Sequence, residues 1–497
     1  MRPSVLATDG YKFSMAEAGW PLRQETFYYS HRRGGPHFLP FDVEEMVRGL
    51  LPDTSALGGV EERHFLDSAY PMGGAFWSAV RGPNVAEKVV IRAAPKGSWF
   101  FDREPLFTVT GPSALVSWLE PLVLQLHYRI QLATVAKLEP ERLPELLHAV
   151  TCEAQRDIAL ETLDAVGVTA PPVRVDSDAY YAHVLERVTQ LVEVVGDPSR
   201  IFEVGLRAAT CVDQHRIALQ ACKKAGVTAT SHVLLAKELG LRPVGTMGHE
   251  HVQRFGSDAL AFRAMRDRFP GPSSFLLDTF DTVRSGLPEA YDLIAEAPHR
   301  GDSVRFDSGD KVTQYLVACS MAKARGLTPR FILEDGFTVD MTREFERLRA
   351  FTGVAADHQL YGFGGYIVKA PGDPLTRDRV AAVWKVSQSG PAATMKFGDE
   401  PGAGKESLPG RPLLFRPFLG RSGYAGPTGV VLQEGEAPPS DDGVVLSGLS
   451  ELPMRLKASP DEVRAWASRQ ARPAYSRATQ ALVDQLTADR GRALGRR

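Results

Sequence analysis

Ser303-Val304-Arg305-Phe306-Asp307-Ser308-Gly309-Asp310 is the stretch whose reading decides the fold. A short β-prone run stops abruptly at carboxylates, a serine and a glycine, the form of a buried strand that ends in a polar loop. The same form recurs upstream. Ile201-Phe202-Glu203-Val204 runs into Gly205-Leu206-Arg207, Thr228-Ala229-Thr230 into Ser231-His232, and Pro243-Val244-Gly245-Thr246 into Met247-Gly248-His249-Glu250. Ser274-Phe275-Leu276-Leu277 runs into Asp278-Thr279-Phe280-Asp281. Downstream, Arg330-Phe331-Ile332-Leu333 precedes Glu334-Asp335-Gly336, and Gln359-Leu360-Tyr361 precedes Gly362-Phe363-Gly364-Gly365. The spacing is roughly 15 to 30 residues with helical stretches between, as successive βα units require. Seven units in a row predict an α/β protein whose centre is a closed β/α barrel, in preference to an open sheet.

Barrel enzymes carry their active-site loops at the ends of the strands, and here every strand end carries polar or glycine chemistry. Helix caps alone account for some Asp and Ser at such positions. Seven ends mixing cations, carboxylates and glycines predict a catalytic mouth. Gly364 and Gly365 suit a phosphate cradle, because glycine lets backbone N–H groups approach an anion. Asp278, Asp307 and Asp310, with Glu334 and Asp335, suit magnesium, which prefers oxygen ligands. Arg207 and Arg305 offer charge to phosphate or carboxylate groups. His249-Glu250-His251 is not a zinc-binding HExxH, because Gln253 stands four positions after His249. Gly402-Ala403-Gly404-Lys405 fails as a Walker A loop, because Glu406 takes the place of Ser/Thr and Asp399 that of the first glycine; Lys405 remains a loop lysine able to meet a phosphate.

The chain has 497 residues, 43% hydrophobic and 24% charged, which is ordinary for a globular protein and wrong for disorder. With 58 basic and 60 acidic side chains the net charge is −2, so no global field draws nucleic acid or an anionic membrane; any anionic ligand needs a local site. The four cysteines form no CxxC pair and read as buried or idle thiols of a reducing compartment. The N-terminus lacks a signal-peptide core and no apolar run approaches membrane-spanning length, so a cytoplasmic location is expected. Residues 1–140 mix strand-like runs such as Glu25 to Ser30 with an apolar helix from Ser113 to about Ala136. Residues 141–375 carry the barrel. Residues 376–497 return to short strands, an exposed hairpin loop from Gln433 to Gly443, a helix opened by the capping box Ser459-Pro460-Asp461-Glu462, and a basic tail from Arg490 read as frayed.

Six motifs in order resemble the nicotinate phosphoribosyltransferase family: Thr8-Asp9-Gly10-Tyr11-Lys12-Phe13-Ser14-Met15, Glu203-Val204-Gly205-Leu206-Arg207, Ala229-Thr230-Ser231-His232-Val233, Gly245-Thr246-Met247-Gly248-His249, Leu277 to Thr282, and Val304 to Asp310. The resemblance runs to about Pro409-Gly410 and leaves the chain after about Arg421 uncovered. It implies an irregular seven-stranded barrel joined to an α/β sandwich built from the N-terminal part and the post-barrel segment. It also implies a homodimer in which Tyr11 reaches the partner's site to stack on a pyridine ring. The implied reaction joins nicotinate to phosphoribosyl pyrophosphate, with Mg2+ as cofactor and ATP as co-substrate. His249 matches the family's phosphorylated histidine. Arg305 and Asp307 are expected at the nicotinate and ribose end, Gly364 and Gly365 on the 5′-phosphate, and Arg207 and Lys385 on phosphates. Thr230, Ser231 and Asp278 join the expected substrate contacts, and Asp278 with Asp310 the expected metal ligands. Val204 stands where related enzymes have an aromatic stacking residue. His232 stands where they have Asn, and protonated it would favour an acid over an amide. Nicotinamide phosphoribosyltransferase is the nearest alternative; Ser231 argues against it, because that enzyme has a carboxylate there. A non-catalytic phosphosugar-sensing protein on the same scaffold is the other.

Overall fold

The computed structural model describes residues 2–52, 60–82, 84–148, 150–397, 406–418, 429–467 and 472–495. All seven expected segments are strands of one parallel sheet: Ile201–Glu203, Ala229–Thr230, Arg242–Pro243, Ser274–Leu276, Ser303–Phe306, Arg330–Leu333 and Gln359–Phe363. Apart from the third and fourth, consecutive strands are neighbours, and the seventh pairs with the first, Tyr361 beside Ile201. The third and fourth strands are not paired, so the barrel is curled but open along one seam, where a closed ring was expected. The third strand is only two residues long. The chain after it leaves the sheet to dock on the N-terminal segment, so closely that a Cβ on Gly245 would meet the Tyr11 nitrogen at 2.2 Å.

Alternation along the strands sorts their side chains. Val304, Phe306, Phe331 and Leu333 point outward and are buried under the surrounding helices with Tyr315 and Phe345. Ser303, Arg305, Arg330, Ile332 and Glu334 point inward. Small and charged inward residues leave the barrel hollow. Helices close the units at polar caps: Asp176 accepts from the Ala179 N–H at 3.1 Å, and Ser257 from that of Leu260 at 3.3 Å.

A second, antiparallel sheet joins Val90–Ala93, Phe107–Pro112 and Gln24–His31 to the post-barrel strands Ala382–Ser389 and Ala392–Ala393. Trp384 stacks on Phe27 with ring centroids 5.6 Å apart, and helix Glu120–Leu138 packs beside them. The short strands expected in the C-terminal part include Pro412–Pro417, Val430–Gln433, Gly443–Val445 and Ala474–Tyr475, which form a four-stranded sheet of their own, apart from the sandwich sheet. The loop 434–442 is largely exposed as expected, but it is no hairpin, because the strands it joins lie on opposite sides of Pro412–Pro417. The tail is not frayed through its described part: helix Arg477–Gly495 runs up to it, and Arg490 donates to the Phe280 carbonyl at 2.9 Å. Cys152 and Cys211 are buried thiols, as expected, and lie with sulfurs 3.6 Å apart. Lys405 and its loop to residue 398 lie outside the described residues. Among the described residues no helix is long and apolar enough to cross a membrane.

Candidate active site

A cavity of about 910 Å³ fills the barrel from the strand ends down to Ser273 and Gly301 at the opposite mouth. The sandwich sheet closes it from above with Trp384, Lys385 and Lys396. His249 stands at the first turn of helix His249–Phe255, after Gly248 as its cap. Its Nε2 lies 3.0 Å from Asp278 Oδ1, 2.7 Å from Lys396 Nζ and 3.8 Å from Asp307 Oδ2. Lys396 also reaches Asp278 Oδ2 at 3.4 Å, and Ser308 donates to that same oxygen. One ring nitrogen cannot accept from an ammonium and donate to a carboxylate at once. The two contacts therefore alternate: the Lys396 contact engages the Nε2 lone pair, while the Asp278 contact leaves Nδ1 as the lone-pair nitrogen. Burial lowers the His249 pKa to about 4, with Lys396 adding to the effect and Asp278 and Asp307 opposing it. The imidazole is neutral and nucleophilic near pH 7. Burial opposes ionisation of Asp278, but His249, Lys396 and Ser308 together hold its carboxyl well below the usual range.

A second charged group lies across the cavity. Glu120, on the long apolar helix, accepts from Tyr11 Oη at 3.0 Å, pairs with Lys12 and stands 3.6 Å from Arg207. Burial would raise its pKa, but Lys12, Arg207 and Lys385 take it down to about 2. Lys12 binds Glu250 as well, at 2.8 Å. Lys385 is pushed down to about 7 by burial and by Lys396, with Glu120 opposing. A phosphate entering the cavity would restore its proton. Arg305 donates to Thr246 Oγ1 at 2.5 Å and stands 3.8 Å from Glu334, whose pKa burial raises. Asp9, also on the cavity wall, accepts from Ser231 Oγ at 2.7 Å. Burial lifts the Asp9 pKa to about 6 against the pull of Ser231 and Arg207.

Of the residues named from the sequence, His249, Arg305, Asp307, Tyr11, Arg207, Ser231 and Lys385 line this cavity. Asp278 lies buried behind His249. Glu334 and Asp335 line the cavity as well. Several others stand elsewhere. Thr230 points outward and donates to buried Glu203 at 2.8 Å, because alternation turns it away from Ser231. Gly364 and Gly365 do not line the cavity, and a Cβ on Gly365 would meet Asp378 Oδ2 at 2.8 Å, a carboxylate where an anion was expected. Asp310 caps helix Lys311–Ala324, accepting from Thr313 Oγ1 at 2.6 Å, and is exposed. Among the described residues the one cluster close enough to share an ion is His249, Asp278 and Asp307. Tyr11, expected in a partner's site, lines its own chain's cavity. His232 is fully buried, stacked on His215 with centroids 5.2 Å apart. Burial and His215 push its pKa well below the ordinary value, so it is neutral and offers a substrate no charge. Val204 does line the wall, and so does Phe202, an aromatic face two residues before it.

Sequence reasoning missed Lys396, Glu120 and Asp9. Lys396 had a signal in its neighbours, since Met395 and Phe397 are both buried apolar side chains flanking a charge. Glu120 had one too, as a carboxylate within an apolar helix that needs a cation beside it.

No protein-family model matches the chain. It is 27% identical over 459 residues to the nicotinate phosphoribosyltransferase of Bos taurus, covering 88% of this chain and 81% of that one. To the nicotinate phosphoribosyltransferase of Homo sapiens it is 27% identical over 456 residues, with 87% and 80% covered. The solved structure of nicotinate phosphoribosyltransferase from Porphyromonas gingivalis superposes with a TM-score of 0.56 at 19% identity, over 82% of this chain and 96% of that one. The Vibrio cholerae structure of the same name gives 0.55 at 17% identity, over 80% and 89%. At those identities the structural likeness speaks for the fold.

Proposed function

The chain belongs to the nicotinate phosphoribosyltransferase family, and on that premise we propose that it makes nicotinate mononucleotide and pyrophosphate from nicotinate and phosphoribosyl pyrophosphate in NAD salvage. The observation that carries the reading is a hollow barrel lined by Arg207, Arg305, Lys385 and Lys396, with a neutral histidine at its mouth. The ring nitrogen of the base attacks the anomeric carbon as the C–O bond to pyrophosphate breaks. The protein's work is to hold both reactants in line and to meet the charge that builds on the departing oxygens. Lys396 and Lys385 face that charge from the sandwich side, Arg207 and Arg305 from the barrel. Asp307 is the carboxylate of the ion-competent cluster that faces the cavity. Together with substrate phosphate oxygens it would hold Mg2+, which supplies charge neutralisation of the pyrophosphate when bound.

ATP coupling through His249 is part of the proposal. The neutral imidazole attacks the γ-phosphorus, the bond to the bridging oxygen breaks, and ADP leaves with its electron pair. Asp278 supports the cationic ring so formed, and hydrolysis later returns the imidazole and phosphate. The proposed assembly is a homodimer in which Tyr11 serves its own chain's cavity.

One observation favours a second reading. Asp9 places a carboxylate on Ser231, where an amide group would find an acceptor, so nicotinamide is the competing base. Substrate selectivity of wild type and Asp9→Asn tests both readings. Wild type is expected to prefer nicotinate, and Asp9→Asn to turn over nicotinamide no faster. A wild-type preference for nicotinamide that Asp9→Asn abolishes would establish the second reading instead.

A further inference from the structure

We infer that Arg490, near the end of the last helix, is a positioning residue that braces together the two loops delivering Asp278 and Lys396 to His249. Those two residues come from different parts of the molecule. Asp278 follows the fourth barrel strand, whereas Lys396 follows the edge strand Ala392–Ala393 of the sandwich sheet. Among the described residues no strand pairing ties one segment to the other. Yet both must meet at one imidazole nitrogen, at 3.0 and 2.7 Å.

Helix Arg477–Gly495 spans the gap. Its 19 residues make a rod of about 28 Å at 1.5 Å per residue. The near end is fixed to the four-stranded sheet: Thr479 is buried and donates to the Val431 carbonyl at 3.0 Å. The far end lies on the barrel loop. Arg490 Nε donates to the Phe280 carbonyl at 2.9 Å, and its Nη2 points at the same oxygen. Phe280 is two residues past Asp278. Four residues beyond Arg490, the Leu494 carbonyl accepts from Arg284 at 3.2 Å, and the Arg284 N–H is itself held by Asp281 at 2.8 Å. The same Arg490 guanidinium lies over the ring of Phe397, 5.3 Å from its centroid. Phe397 is the residue after Lys396, and its ring meets that of Phe280 at 6.1 Å. One planar cation therefore bonds the Asp278 loop through a carbonyl and the Lys396 segment through an aromatic face. Misplacement of a catalytic group by about 1 Å can cost on the order of 100-fold in rate, so a brace at this point acts on chemistry more than on binding.

What is braced is independent of the reaction; its effect on rate rests on the function proposed above. The test uses the full chain as Arg490→Ala, Arg490→Lys and Phe397→Leu, with Arg492→Ala as the control, since Arg492 is exposed on the same helix and pairs with Asp489 one turn before it. Amide exchange over residues 278–286 and 394–397 is measured beside kcat and KM for nicotinate. Arg490→Ala and Phe397→Leu are expected to exchange about tenfold faster in both stretches. They should lose about tenfold or more in kcat while KM stays within about threefold. Arg490→Lys keeps a donor for Phe280 and is expected to recover the 278–286 stretch in part. Exchange and kcat in both variants equal to those of Arg492→Ala would overturn the inference. If wild type fails to turn over nicotinate yet the exchange differences appear, the brace stands and the functional reading falls alone.

Discussion

Replacing Lys396 with Met tests the electrostatics of the site most sharply. The change removes one positive charge from a nearly buried position and keeps most of the side-chain volume. At an effective dielectric of about 20, a unit charge 3.4 Å from Asp278 Oδ2 contributes about 5 kcal/mol before desolvation. Desolvation of the ammonium offsets much of this. What remains is on the scale of one preorganised donor at a developing negative charge, about 2.7–4 kcal/mol or 10²–10³ in kcat. A second effect has the opposite sign in proton affinity. Lys396 helps hold His249 near pKa 4, while Asp278 and Asp307 pull it upward. Without the ammonium the histidine rises toward its ordinary value. Nicotinate turnover with the phosphoribosyl donor and ATP, followed across the pH range, reads both effects. Lys396→Met is expected to lose about 10²–10³ in kcat near pH 7.5 and to shift its acid limb upward, whereas Lys396→Arg keeps the acid limb in place. A kcat within a few-fold of wild type together with an unmoved acid limb would refute the reasoning.

Two further outcomes concern stability. His127, His249 and His251 are held to about 3, 4 and 3 by burial, so the folded chain resists protons that the unfolded chain takes up below about pH 6.5. Their contribution is complete above that pH and is lost as pH falls toward 3–4; at pH 5 each has cost about 2 kcal/mol. Denaturant titrations should show stability falling by about 4 kcal/mol per pH unit below pH 6, and a flat profile between pH 7 and 5 would contradict the burial argument. The bidentate pair of Arg254 with Glu25, at 2.6 and 2.8 Å, lies wholly inside and ties the His249 helix to the sandwich sheet. Glu25→Ala leaves a buried guanidinium unpaired and should cost about 3–5 kcal/mol in the first unfolding transition, a loss that a change below about 1 kcal/mol would disprove.

The strands were legible because short β-prone runs with polar or glycine endings recur seven times at the spacing of βα units, as in Ser303 to Phe306 running into Asp307. The capping box at Ser459 was legible for the same local reason, and Glu462 N does donate to Ser459 Oγ at 3.3 Å. The open seam was not, since it depends on how the segment after Pro243 docks on Tyr11, a contact between residues more than 230 positions apart. Thr230 and His232 were misplaced through parity: they share the outward side, and only Ser231 between them faces the cavity. Lys396 was missed because it enters from a short edge strand of another sheet, where no spacing relative to His249 could signal it. Asp310 carried a carboxylate into the right loop, but the helix that follows claims it as a cap.

Paired turnover of nicotinate and nicotinamide, with magnesium and the phosphoribosyl donor, with and without ATP, on wild type and His249→Ala, is the most direct test of the central claim. Nicotinate consumed far faster than nicotinamide, with ATP stimulating wild type and leaving His249→Ala unchanged, is the predicted result. Equal ATP stimulation in both proteins would contradict the role of His249, and turnover of neither base by wild type would contradict the enzyme itself.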